Sequence, residues 1–155
     1  MPYEPFSLKD VRAIFEASEG RGMIVGKPNV GHSGERHVSI TNARLADRVR
    51  DYKQDGLALR TAFIDFKSQV EAAFAVLNDP VNAPALEHFF NRVRQNDPAY
   101  EMKNVWLTTP VKMRYGIGDG ARTFPCHYFT LILRKEVSLP RQMHIVTFFG
   151  TMGPF

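Results

Sequence analysis

The chain has 155 residues, of which 44% are hydrophobic and 23% are charged, a composition that argues against a largely disordered protein and favours one domain with its own core. No apolar run approaches the length of a membrane span, so membrane integration is not expected. The single cysteine, Cys126, excludes an internal disulfide and a cysteine-based zinc site, and the net charge of +4 permits an acidic partner.

The first two thirds of the chain show mainly helical patterning. The first two helices are predicted from an N-capping residue before apolar residues at helical spacing, the last two from that spacing alone, and the loop from its glycines. In chain order the elements are a helix from Ser7 to about Gly20, a loop over 20–34 with a short strand at 23–25, a helix from Thr41 to about Gly56, a strand over 61–64, and helices over 66–77 and 83–94.

From Tyr100 onward the pattern changes to strands. They are predicted at 103–107, 111–115, 127–134 and 144–149, with a tight turn over 116–120. Helices followed by antiparallel strands predict an α+β domain in which the N-terminal helices pack on a C-terminal antiparallel sheet. Most of the excess positive charge also lies in this last third.

The segment from Gly31 to Val38 is the first candidate site. It holds His32 and His37, with an arginine beside the second histidine. Histidine exchanges protons near neutral pH, and arginine holds phosphate or carboxylate, so the pattern indicates chemistry on a charged substrate such as a phosphodiester. The histidines lack the spacing and the glutamate of the zinc-protease motif, and no metal site is expected. The alternative is a polar loop with a structural histidine.

Two further regions carry candidates. Arg48 lies on the second helix, where its guanidinium would hold a phosphate bidentately if it turned back onto the cleft of His37. In the last strand, simple alternation predicts that His144 lies on one face and Thr147 and Phe149 on the other. Taken alone, Thr147 is an ordinary strand residue and Phe149 a core aromatic.

The sequence also resembles a known family. Gly31-His32-Ser33-x-x-Arg36-His37-Val38, with the helix that follows, is similar to the opening of the bacterial RNase A-like toxin domains. These domains form the C-terminal tips of contact-dependent growth inhibition proteins and other polymorphic toxins. Further similarity lies at 61–65, before a helix, and in the last two strands, so that the resemblance covers roughly residues 31–151.

The resemblance implies a metal-independent endoribonuclease that needs no cofactor, on an RNase A-like fold without disulfides. Its catalytic residues would be His37, Arg48, Thr147 and the aromatic at Phe149. The family favours tyrosine at this last position, and phenylalanine has no hydroxyl to donate. His144 or His32 would then contact the substrate and substitute for that hydroxyl.

The resemblance also implies an organisation and partners. Residues 31–155 would form the toxin domain, and residues 1–30, an N-terminal helix and loop, would belong to it or derive from a linker. The chain would be secreted or delivered as the tip of a larger bacterial protein and act as a monomer in the target-cell cytoplasm. Its partners would be an RNA substrate, with tRNA as one candidate, and a cognate immunity protein.

Two alternatives to a toxin ribonuclease stay open from the sequence. One is a catalytically silent RNA- or protein-binding domain on the same fold, which is suggested by the missing hydroxyl at Phe149. The other is a stand-alone cytosolic domain unrelated to toxins. RNA cleavage would distinguish the first alternative, and a neighbouring gene for a small acidic protein would argue against the second.

Overall fold

A computed structural model of the chain describes residues 3–18, 61–117 and 120–151. Within these ranges the chain has three α-helices and four β-strands, and the predicted α+β class is confirmed. In chain order the elements are α1 (Leu8–Ser18), β1 (Thr61–Phe63), α2 (Phe66–Asn78), α3 (Ala83–Arg92), β2 (Tyr100–Ile117), β3 (Gly120–Lys135) and β4 (Met143–Thr151).

Capping side chains set the beginnings of α1 and α2. The Ser7 hydroxyl accepts a hydrogen bond from the Asp10 backbone N–H at 3.0 Å, and the Asp10 carboxylate accepts one from the Ser7 N–H at 3.1 Å. Asp65 does the same for α2, where its carboxylate accepts from the Ser68 N–H at 2.7 Å. These bonds satisfy N–H groups that have no partner within the helix, which explains why the helices begin where the sequence predicts.

The four strands form one antiparallel sheet in the order β1-β2-β3-β4. The sheet is curled, because its two edge strands meet: the Thr61 hydroxyl on β1 donates a hydrogen bond to the Gly150 carbonyl on β4. Gly150 also leaves room for two sulfur-containing side chains of the neighbouring strands. A Cβ atom at this position would lie 2.5 Å from the Met113 sulfur and 2.6 Å from the Cys126 sulfur, which is closer than packed atoms approach.

The hydrophobic core fills one face of the sheet, between the strands and the helices. Three phenylalanines from different strands, Phe63, Phe129 and Phe148, stack there with ring centroids 5.4–6.4 Å apart. Helix α1 closes this core with Val11, Ile14 and other apolar side chains, and the hydroxyl of Ser18 at its end accepts a hydrogen bond from the Ile145 N–H of β4 at 3.0 Å. Residues 8–18 are therefore packed against the sheet.

The strand predictions need two corrections. The separate strands expected at 103–107 and 111–115 are one long strand, β2, with irregular pairing between Met102 and Val105 and between Trp106 and Val111. Pro110 lies within the second irregularity, where it is not paired with a residue of β3. The N–H group that proline lacks is therefore not needed for pairing at this position. The strand expected at 127–134 is longer than predicted, because β3 begins at Gly120. β2 and β3 pair as far as Ile117 and Gly120, so residues 116, 117 and 120 of the predicted turn belong to the strands, and 118–119 lie outside the described residues.

Several predictions fall outside the described residues. These are the loop over 20–34, the helix expected from Thr41 and the domain boundary between residues 30 and 31.

Cys126 is a free and buried thiol. None of the helices within the described ranges is long and apolar enough to cross a membrane.

Candidate functional site

The predicted site residues divide into two groups. His32, His37 and Arg48 lie outside the described residues, so their roles stay predictions. His144, Thr147 and Phe149 lie on β4, and the structure gives their register, burial and neighbours. The structure therefore describes the part of the candidate site that lies on β4.

A β-bulge at Val146 changes which faces these residues occupy. Thr147 pairs with Ile132 of β3, and Ile145 pairs with the next residue, Leu133, so that Val146 is an extra residue on β4. One inserted residue reverses the alternation of every side chain beyond it. The predicted placement of His144 on the face opposite Thr147 and Phe149 is wrong: the bulge brings all three onto the same face, away from the phenylalanine core.

The register with β3 identifies the neighbours on this face. Thr130 lies opposite Phe149, Ile132 opposite Thr147, and Arg134 opposite His144. Directly paired residues place their Cβ atoms about 4.5–5.5 Å apart on the same side of a sheet. We call the face that carries Thr130, Arg134, His144, Thr147 and Phe149 the polar face.

Four of the five residues that define the polar face are buried, although three of these four carry polar groups. Thr130 is 1% exposed, Thr147 4%, His144 6% and Phe149 7%. The hydroxyl oxygens of Thr130 and Thr147 lie within the described part of the chain and form no hydrogen bond. A buried hydroxyl without a partner costs about 1–3 kcal/mol of stability. Two such groups on one face are unusual in a folded protein.

The two faces of β3 and β4 differ in chemistry. The opposite face carries the core, where burial lowers the pKa of Lys135 and its ammonium donates to the Phe90 carbonyl at 3.1 Å, above the Phe89 ring. Burial also raises the pKa of the Cys126 thiol to about 11. A thiol of this pKa stays protonated near neutral pH, so Cys126 is a packing residue and not a nucleophile.

The remaining described histidines serve other contacts. The His127 ring stacks on Trp106 with centroids 4.3 Å apart, and its Nδ1 lies 2.7 Å from the Leu107 carbonyl oxygen. His88 is exposed on α3 and stacks on Tyr100. Among the described residues, no three histidine, cysteine or acidic side chains are grouped so that they could hold a metal ion.

Sequence reasoning did not find Thr130. A weak signal was present, because residues 128–135 alternate between the large apolar side chains of the core and a second, more polar set. That alternation identifies a polar face on β3. It does not show which β4 residues lie opposite, because the register depends on the bulge.

Comparison with known proteins gives one structural likeness. Neither a family model nor a curated protein matches the chain. Among solved structures, the CdiA-CT/CdiI complex from Y. kristensenii 33638 contains a chain that is similar with a TM-score of 0.51 and 18% sequence identity. The match covers 78% of this chain and 99% of that chain. It establishes a shared fold along most of the chain.

Proposed function

We propose that the chain is a metal-independent endoribonuclease toxin with an RNase A-like site, which cleaves RNA through attack of the 2′-hydroxyl. The observation that carries the proposal is the bulge at Val146, because it aligns Thr147 with His144 on one buried face. Thr147 is one of the residues that the sequence resemblance relates to catalysis, and His144 is one of the two histidines that could replace the missing tyrosine hydroxyl. The fold shared with a chain of the CdiA-CT/CdiI complex supports the proposal that the protein is a toxin.

The proposed reaction uses the nucleophile that RNA itself carries. A base removes the proton of the 2′-hydroxyl, the oxygen attacks the adjacent phosphorus, and an acid protonates the departing 5′-oxygen. The products are a 2′,3′-cyclic phosphate and a 5′-hydroxyl. In this scheme His37 exchanges the proton, Arg48 stabilises the charge on the phosphorane, and Thr147 donates a hydrogen bond to a phosphate oxygen.

His144 is the candidate for the acid. Phe149 has no hydroxyl, so a proton donor must come from another side chain. His144 shares the polar face with Thr147 and lies opposite Arg134, whose positive charge would attract the substrate phosphate to this end of the face. The assignment of the acid to His144 follows from its position on this face.

The biological role follows from the same comparison. The similar fold occurs in a CdiA-CT/CdiI complex, and the opening motif resembles toxin domains at the tips of contact-dependent growth inhibition proteins. We infer delivery as the C-terminal part of a larger bacterial protein and action in the target-cell cytoplasm. A ribonuclease must be held inactive in the cell that makes it, so a cognate immunity protein is the expected partner. Because the chain is basic, this partner would be acidic.

RNA cleavage by matched histidine variants tests the proposal. The purified chain is incubated with total RNA and with tRNA in the presence of EDTA, and His37→Ala is compared with the control His88→Ala, whose ring is exposed on α3. We expect cleavage by the wild type and by the control, and none by His37→Ala, with all three folded by circular dichroism. Binding without cleavage by the wild type would favour the silent binding domain instead. Cleavage that EDTA abolishes would favour a metallonuclease.

A further inference from the structure

We propose that Thr130 belongs to an oxyanion-binding subsite on the polar face, where its hydroxyl and that of Thr147 together hold one phosphate group. The inference rests on the proposed function for the identity of the natural ligand, a phosphodiester of RNA. Its structural basis is independent of that function. It consists of the register, burial and hydrogen-bond state of two threonines.

The register places the two hydroxyls at a suitable separation. Thr130 lies opposite Phe149, and Thr147 lies opposite Ile132, so the two threonines are diagonal neighbours on adjacent strands. Diagonal neighbours on one face have Cα atoms about 7–8 Å apart and Cβ atoms somewhat closer, and their side chains extend from the same side of the sheet. Two charge-assisted O–H···O bonds of about 2.6 Å, one on each side of a phosphate group, span a similar distance. Both hydroxyls can therefore donate to different oxygens of one phosphate.

A comparison with Thr61 shows that a threonine buried in this sheet can have a partner. Thr61 is also inaccessible to water, and its hydroxyl donates to the Gly150 carbonyl. The hydroxyls of Thr130 and Thr147 have no such bond, although both belong to the described residues. Buried polar groups are nearly always hydrogen-bonded in folded proteins. Two exceptions side by side are best explained by a ligand that both would bind.

The charges on the polar face favour an anion. Arg134 and His144 lie opposite each other at one end of it, and none of the residues that the paired parts of β3 and β4 place on this face is acidic. Hydroxyls of threonine and the guanidinium of arginine are common donors to phosphate oxygens. Because both hydroxyls are almost inaccessible to water, the anion enters only when this face opens locally.

The test combines phosphate binding with RNA cleavage. Thr130→Val removes the hydroxyl and keeps the shape of the side chain, Thr130→Ser keeps the hydroxyl, and Thr130→Ala removes it should valine prevent folding. Inorganic phosphate is titrated against each full-length protein, and binding is followed as a rise in Tm. In parallel, kcat/KM is measured on RNA.

We expect phosphate to raise the Tm of the wild type and of Thr130→Ser. In Thr130→Val we expect phosphate affinity and kcat/KM to fall about ten- to hundredfold, as for loss of one hydrogen bond to a charged group, without a decrease in Tm in phosphate-free buffer. A wild type whose Tm does not respond to phosphate, or a Thr130→Val variant that binds phosphate and cleaves RNA normally, would overturn the subsite. If phosphate binding depends on Thr130 but RNA stays intact, the subsite stands and the ribonuclease proposal fails.

Discussion

The replacement Thr147→Val separates catalysis from stability at the polar face. It exchanges a buried hydroxyl, which forms no hydrogen bond within the described structure, for a methyl group of nearly the same size. No bond is lost, and the cost of burying a polar group without a partner, about 1–3 kcal/mol, is removed. The free energy of unfolding should therefore stay the same or rise, and each 1 kcal/mol would raise Tm by about 2–4 °C in a protein of this size.

The same replacement should reduce RNA cleavage. A hydrogen bond to a charged oxygen contributes about 1.5–3 kcal/mol, which corresponds to a loss of about 10- to 150-fold in kcat/KM. Initial rates of cleavage and thermal unfolding are measured on the same preparation. Thr61→Val is the matched control: it removes a buried hydroxyl that does donate, to the Gly150 carbonyl, and should lower the free energy of unfolding. A Thr147→Val protein that is clearly destabilised but fully active would refute this reasoning.

Four further predictions concern the sheet, the helix that supports it and the buried thiol. Gly150→Ala should lower the free energy of unfolding by roughly 1–3 kcal/mol in urea, because the added Cβ would press on the Met113 sulfur; unchanged stability would contradict the close packing of that sulfur on Gly150. Ser18→Ala should cost about 1–3 kcal/mol by the same measurement, because the buried N–H of Ile145 loses its acceptor; no change would show that α1 does not fix β4. The Cys126 thiol should resist iodoacetamide at pH 8 until the protein unfolds, and rapid labelling of the native protein would be inconsistent with its burial. Folding raises the pKa of the Cys126 thiol to about 11, above the pKa of an unfolded thiol. The stability that the buried, protonated thiol contributes should therefore be fully present below pH 9 and be lost as the pH rises toward 11.

The helices and most strands could be predicted because their signals are local. Ser7 and Asp65 cap α1 and α2 through bonds to residues three positions away, which a sequence displays directly. The division of β2 into two strands was wrong because Pro110 is a local breaker, whereas the long pairing with β3 keeps the strand continuous around it. Elements that depend on nearby residues were therefore predictable, and elements that depend on a partner strand were less so.

In the candidate site, too, local features could be predicted and features that depend on strand pairing could not. The alternation of β4 is a local property, but the bulge at Val146 arises in the pairing with β3, and it reversed the predicted face of His144 relative to Thr147. Thr130 was missed because nothing in its own segment indicates that Phe149 lies opposite it and Thr147 diagonal to it. The contributions of His37 and Arg48 rest on the sequence resemblance.

The chemistry of the RNA ends tests the central claim most directly. The wild-type chain is incubated with a short RNA in EDTA, and the new termini are identified by mass spectrometry, with the same RNA carrying a 2′-deoxy sugar at the cleaved position as control. We expect 2′,3′-cyclic phosphate and 5′-hydroxyl ends, and no cleavage of the deoxy control, because the 2′-hydroxyl is the nucleophile. Intact RNA, 5′-phosphate ends or cleavage of the control would contradict a ribonuclease of this mechanism.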